Sequence, residues 1–136
     1  MDRIQVMQSV SATKCYIVDD SDSIRQRLVS MLEAIGNVTI VGQARNATDA
    51  IAGILAARPD FVLLDLNLEV GSRSGIDVLN TVHRELPAVE FVVLTNHSEP
   101  QYRRACARAG AAHFLDKSTE FDSVRTIVAD IAGKQA

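Results

Sequence analysis

Cysteine is nearly missing from this chain: its 136 residues hold 2, Cys15 and Cys106. They lie far apart and form no CxxC pair, so neither a disulfide framework nor a zinc site is indicated, and both read as small buried hydrophobes. Long apolar runs are missing as well. Runs such as Phe61 to Leu64 and Phe91 to Leu94 are strand-sized, too short to span a bilayer. Positive charge is not in excess: 14 Lys+Arg stand against 17 Asp+Glu, a formal charge of −3, so no overall basic field draws the chain to nucleic acid or an anionic membrane. The opening MDRIQVMQSVSATK has no apolar stretch long enough for a signal-peptide core, and a cytoplasmic protein is expected. There is no internal repeat, linker or low-complexity segment, and the length suits one domain.

What is present is alternation. Short β-rich runs, CYIV (15–18), VTIVGQA (38–44), FVLL (61–64), FVVL (91–94) and AHFL (112–115), recur between segments of helical spacing. Ile24, Leu28, Met31, Leu32 and Ile35 form one helical stripe, and Ile51, Ile54 and Leu55 begin a second. Ile76, Leu79, Val82 and Leu86 form a third. A fourth, Ala/Arg-rich helix runs through Tyr102 to Ala109, and Phe121, Val124, Ile127, Val128 and Ile131 mark the fifth. Ser21, Asn46 and Ser74 stand where helices should begin, and Gly36, Pro59, Pro87 and Gly110 where they should stop. Strict β/α alternation with near-continuous apolar strands implies an α/β fold, a doubly wound five-stranded parallel sheet in the flavodoxin-like order 2-1-3-4-5. Residues 1–13 are expected to be an extension, 14–133 the domain and 134–136 a tail.

An open α/β sheet places its site at the C-terminal strand ends. There the first strand runs into Asp19 and Asp20, the third into Asp65, the fourth into Thr95 and the fifth into Lys117. No glycine loop follows the first strand. VDDSDS stands there instead, and its carboxylates would repel a dinucleotide. Three carboxylates held together call for a cation, and all-oxygen ligation suits a hard ion such as Mg²⁺. A metal-bound Asp beside an ammonium and a hydroxyl can attack a phosphoryl group to give an aspartyl phosphate. Asp65 is the best nucleophile candidate because it ends the apolar central run PDFVLLD, while the Asp19–Asp20 pair is better suited to holding the ion.

These residues carry a resemblance. VDDS, PDFVLLDLNL, VVLT and HFLDK, with separations of 45 from Asp20 to Asp65, 30 on to Thr95 and 22 on to Lys117, resemble the receiver domain of two-component response regulators, the family of the chemotaxis regulator. The resemblance covers about Lys14 to Gly133. It implies that Asp65 is the phosphoacceptor; that Asp19, Asp20 and Asp65, with the Asn67 backbone carbonyl, hold Mg²⁺; that Thr95 and Lys117 contact the phosphoryl group; and that Phe114 is the rotating aromatic of the switch. It also implies a sensor histidine kinase or histidine phosphotransfer protein as donor, docking on the side of the first helix that carries Ser23, Arg27 and Ser30. The output would be altered protein binding by the face of the fourth helix, fifth strand and fifth helix. The chain departs from the family pattern in three places. Leu68-Glu69 replace Met-Pro in a LEVGSRSG loop about two residues longer, Asn96 follows Thr95 in place of Ala or Gly, and Ser118 follows Lys117 in place of Pro.

The fifth helix ends near Ala136, so a stand-alone switch is expected, acting by binding another protein, by relaying phosphate, or through a domain outside this sequence. The alternatives are a degenerate receiver that binds partners without phosphorylation, and a phosphatase with an Asp nucleophile, which would generally want an acid where Asn67 stands. No further enzymatic activity, direct nucleic-acid contact or membrane contact is expected. Asp22 reads as a helix-dipole acid, His97 as a rim residue able to influence attack of water on the acyl phosphate, and His83 and His113 as packing or surface residues. The Lys117–Ser118 bond is expected to be trans, because a non-proline cis bond costs about 2.5–4 kcal/mol.

Overall fold

The computed structural model describes residues 12–68 and 74–135. Its elements are β1 (Thr13–Val18), α1 (Asp22–Ile35), β2 (Val38–Ala44), α2 (Ala47–Ala57), β3 (Phe61–Leu64), α3 (Gly75–Glu85), β4 (Glu90–Thr95), α4 (Pro100–Arg108), β5 (His113–Asp116) and α5 (Ser123–Gln135). The five strands form a parallel sheet in the order β2-β1-β3-β4-β5. This is the expected architecture, and the strand alternation explains how both faces are covered. Cys15 and Ile17 of β1, Phe61 and Leu63 of β3 and Val92 and Leu94 of β4 face Leu28, Leu32, Val124, Val128 and Ile131 of α1 and α5. Tyr16, Val18, Val62, Leu64, Phe91 and Val93 face Ile51, Ile54, Val78, Leu79, Val82 and Cys106 of α2, α3 and α4.

Local chemistry sets the helix ends. The Ser21 hydroxyl accepts the Ile24 N–H and the Asn46 side-chain Oδ1 the Asp49 N–H, while the Ser74 N–H donates to the Asp77 carboxylate. Pro100 opens α4 from its first turn, where its missing N–H costs nothing. Gly110, after α4, has φ +102°, and a Cβ there would sit 2.7 Å from the His83 ring, so left-handed backbone and close packing both require glycine.

Three boundaries differ from expectation. Thr13 belongs to β1 and not to an extension: it pairs with Val38, donates its N–H to Asn37 and is 1% exposed. The rest of the expected extension, residues 1–11, lies outside the described residues. At the other end α5 runs to Gln135, two residues into the expected tail, because helical hydrogen bonding continues past the last apolar anchor, Ala132. The fourth helix starts two residues earlier than its apolar positions indicate, at Pro100. The register of β1 on β2 also slips between Cys15 and Tyr16, so that Tyr16 meets Gly42. Tyr16 fills a slot made by two glycines: a Cβ on Gly42 would lie 2.4 Å from the ring and one on Gly53 2.0 Å from its hydroxyl.

Both cysteines are buried and unpaired, and burial pushes the thiols up, Cys106 to about 11, so neither is poised as a nucleophile. Among the described residues no helix is long and apolar enough to cross a membrane.

Candidate functional site

The C-terminal ends of β1, β3, β4 and β5 bring the predicted acids and amine together. Two backbone bonds, Asp19 N–H to the Ala44 carbonyl (3.1 Å) and Asp65 N–H to the Val18 carbonyl (2.9 Å), carry the parallel ladder one step past the strands and so aim these side chains from the sheet edge. Carboxylate oxygens of Asp19, Asp20 and Asp65 lie within 4.8 Å of one another. Asp19 and Asp65 are 2% and 4% exposed, so their charges are largely removed from water. Each is partly satisfied by the backbone just beyond it: Asp19 Oδ1 accepts the Ser21 N–H at 2.9 Å and Asp65 Oδ1 the Asn67 N–H at 3.1 Å.

Lys117 supplies the compensating charge. Its Nζ donates to Asp19 Oδ2 at 2.9 Å and to Asp65 Oδ2 at 3.1 Å, reaching across β3 and β4 to the first strand. Burial pushes this ammonium down, but the bonds to Asp19 and the fields of Asp65 and Asp19 outweigh it, and the net shift is upward. The amine therefore remains charged at neutral pH. The Lys117 N–H also donates to the Thr95 carbonyl at 2.8 Å, which ties the ends of β4 and β5 together. No peptide bond among the described residues is cis, and Lys117–Ser118 is trans.

Thr95 is fully buried at the end of β4, with its Oγ1 accepting the His97 N–H at 3.2 Å. The His97 ring packs against Tyr102 of α4, centroids 5.4 Å apart, which holds it on the rim. Phe114, in register with Val93, is half-buried. The Arg103 guanidinium lies 4.6 Å from its ring centroid and donates to the Phe114 carbonyl at 3.3 Å. Asp22 points away from the cluster and pairs with Arg25, whose other nitrogen donates to the Asp19 carbonyl at 2.6 Å. The altered loop after β3 is described at Leu68, which is buried, and at Ser74; Glu69 to Arg73 lie outside the described residues.

Sequence reasoning missed three contributors. Gly75 lets the start of α3 lie against the backbone of the acid, since a Cβ there would meet the Asp65 carbonyl oxygen at 2.4 Å. Arg25 staples the acidic turn to α1. Asp116 accepts from Ser98 and Ser118, with Ser98 Oγ 2.7 Å from its Oδ2. The glycine and the arginine stood in plain view in the sequence, but nothing in a linear pattern says which backbone each will touch.

An all-oxygen set of three close carboxylates, two of them buried, fits a hard divalent cation and is a poor match for zinc or copper. Over 118 residues the chain is 29% identical to the DNA-binding transcriptional activator DevR/DosR of Mycobacterium tuberculosis, covering 87% of this chain and 54% of that protein. It is 32% identical over 112 residues to the nitrogen assimilation regulatory protein NtrX of Azorhizobium caulinodans, covering 82% of this chain and 24% of NtrX. The chain thus spans about half the length of the first of these relatives, and less of the second. Among solved structures, the signal receiver domain of the putative response regulator NarL from Mycobacterium tuberculosis superposes with a TM-score of 0.80 at 29% identity, covering 90% of this chain and 98% of that one. Residues 15–129 match the family model of the response regulator receiver domain, and the chain belongs to that family.

Proposed function

We propose that this receiver domain is a switch that accepts a phosphoryl group on Asp65. The observation that carries the reading is the Lys117 ammonium held between Asp19 and Asp65, inside a cluster of three carboxylates at the sheet's C-terminal edge. An Asp65 oxygen attacks the phosphorus of a phosphohistidine, the new O–P bond forming as the N–P bond breaks, and the imidazole leaves with the N–P electron pair. Lys117, already bonded to Asp65 Oδ2, is placed to meet a phosphoryl oxygen, and the Thr95 hydroxyl can leave the His97 N–H to donate to another. Asp19, Asp20 and Asp65, with the Asn67 carbonyl, would hold Mg²⁺. Bound there, the ion would neutralise charge on the transferring group. Catalysis is confined to the domain's own phosphorylation and to hydrolysis of the acyl phosphate.

The donor is a histidine kinase or phosphotransfer protein. Its docking site is the groove between α1 and α5, where exposed Ser23, Arg27 and Ser30 sit beside Phe121 and Arg125 and the Arg27 guanidinium stacks 4.1 Å from the Phe121 ring centroid. The signal leaves through α4, β5 and α5 as a changed protein-binding face, with Phe114 as its moving part. Intact mass after incubation with acetyl phosphate and Mg²⁺ tests the reading. One added phosphoryl group in the wild type and none in Asp65→Asn is the expected pair. Equal labelling of the variant removes Asp65 from its role, and no labelling of a folded wild type favours a binding-only receiver.

A further inference from the structure

Strand β5 ends in a carboxylate that the proposed chemistry does not use. Asp116 precedes Lys117, and strand alternation sends the two side chains to opposite sides. Its Oδ2 accepts the Ser98 hydroxyl at 2.7 Å, while its Oδ1 accepts both the Ser118 N–H at 2.8 Å and the Ser118 hydroxyl at 2.6 Å. The main chain of Asp116 is engaged as well: its N–H donates to Glu120 Oε1 at 2.8 Å and its carbonyl accepts the Glu120 N–H at 2.7 Å. One residue thereby joins the loop after β4, three positions beyond Thr95, to the turn that follows Lys117.

We propose that Asp116 is a positioning residue, its carboxylate clasping the loop after β4 to Ser118 and so fixing the backbone from which Lys117 reaches Asp19 and Asp65. The inference rests on the reading of Lys117 as the phosphoryl-contacting amine. A lysine ammonium is a point charge on a flexible stem, so its placement depends on where its backbone is held. Ser118 cannot supply that rigidity itself, because its φ is free, and the N–H and hydroxyl that could anchor it both end on Asp116. All three donors come from the two loops flanking the site and none from the core, so the clasp can be opened without unpacking the sheet. The hydrogen bonds of the Ser118 hydroxyl, the Ser98 hydroxyl and the Ser118 N–H hold the Asp116 carboxyl down to about 2, which keeps the clasp charged at neutral pH.

The test compares wild type, Ser98→Ala, Asp116→Ala and the double variant, with acetyl phosphate as donor and intact mass as readout. Asp116→Asn, which keeps an acceptor for the Ser118 N–H, and Ser98→Thr, which keeps the hydroxyl, are the conservative controls. Mg²⁺ affinity without donor is followed by amide NMR. Asp116→Ala should slow labelling about tenfold, the lower end of what losing an orienting partner costs a metal-dependent site, with Mg²⁺ affinity unchanged. Ser98→Ala should lose less, Ser98→Thr should recover the rate, and the double variant should match Asp116→Ala alone, since both changes open one clasp. Labelling of Asp116→Ala at the wild-type rate overturns the role. So does an equal fall in Mg²⁺ affinity, or additive losses, since these indicate general distortion. A wild type that takes no label removes the phosphoacceptor reading and the positioning role together, whereas a labelled wild type with an unaffected variant removes the positioning role alone.

Discussion

Replacing Lys117 by Met keeps the apolar stem and removes an ammonium 2.9 Å from Asp19 and 3.1 Å from Asp65. At such separations and an effective dielectric near 20, each contact is worth about 5 kcal/mol of Coulomb energy, so the variant leaves buried negative charge poorly compensated. The full amount is not lost, because a carboxyl can take a proton. Bringing one carboxyl of ordinary pKa to its neutral form at pH 7 costs about 4 kcal/mol, which caps the penalty. That agrees with the 3–5 kcal/mol typical of removing one partner of a buried pair, and it is a large share of the roughly 5–15 kcal/mol that holds a domain together. With a urea slope near 2 kcal/mol per M, the unfolding midpoint of Lys117→Met in EDTA should fall by about 2 M. Saturating Mg²⁺ should recover most of the loss by supplying the missing positive charge. Far-UV circular dichroism against urea, in EDTA and in Mg²⁺, reads both effects. Equal midpoints for variant and wild type in EDTA, or a deficit that saturating Mg²⁺ leaves unchanged, would refute the electrostatic account.

Three further outcomes are expected. Gly53→Ala should destabilise the fold by about 1–3 kcal/mol, because its Cβ would lie 2.0 Å from the Tyr16 hydroxyl, and pairing it with Tyr16→Leu should recover part of the loss in a urea titration. The Phe114 ring should change its aromatic NMR environment when beryllofluoride and Mg²⁺ are added, and Arg103→Ala, which removes the guanidinium 4.6 Å from the ring centroid, should shift the ring toward the same position without them; an unchanged ring at a filled site would place the output elsewhere. Asp116 has a folded pKa lowered to about 2, so its contribution to stability is present above the ordinary carboxylate range and is lost as pH falls from about 4 to about 2; in Ser118→Ala, which removes the main cause of that lowering, the loss should be smaller and complete at a higher pH, as read by acid titration of the circular dichroism.

Much of the architecture is legible in the chain itself. Strands of two-residue period alternating with helices of 3.6-residue period leave an open parallel sheet as the solution for one domain, and such a sheet gathers whatever ends its strands. Asp19, Asp20, Asp65 and Lys117 follow theirs, so their meeting is legible in the order of residues alone. Periodicity reports which face a residue takes and not which neighbour it meets there. That Thr13 starts a strand, that a register slip seats Tyr16 over Gly42, and that Arg103 covers Phe114 follow from how one element lies on the next. The clasp at Asp116 is of the same kind. Its partner Ser98 is 18 residues away in sequence, and the two meet because parallel pairing of β4 and β5 ends both strands at one edge, bringing into hydrogen-bonding range residues that no local pattern connects.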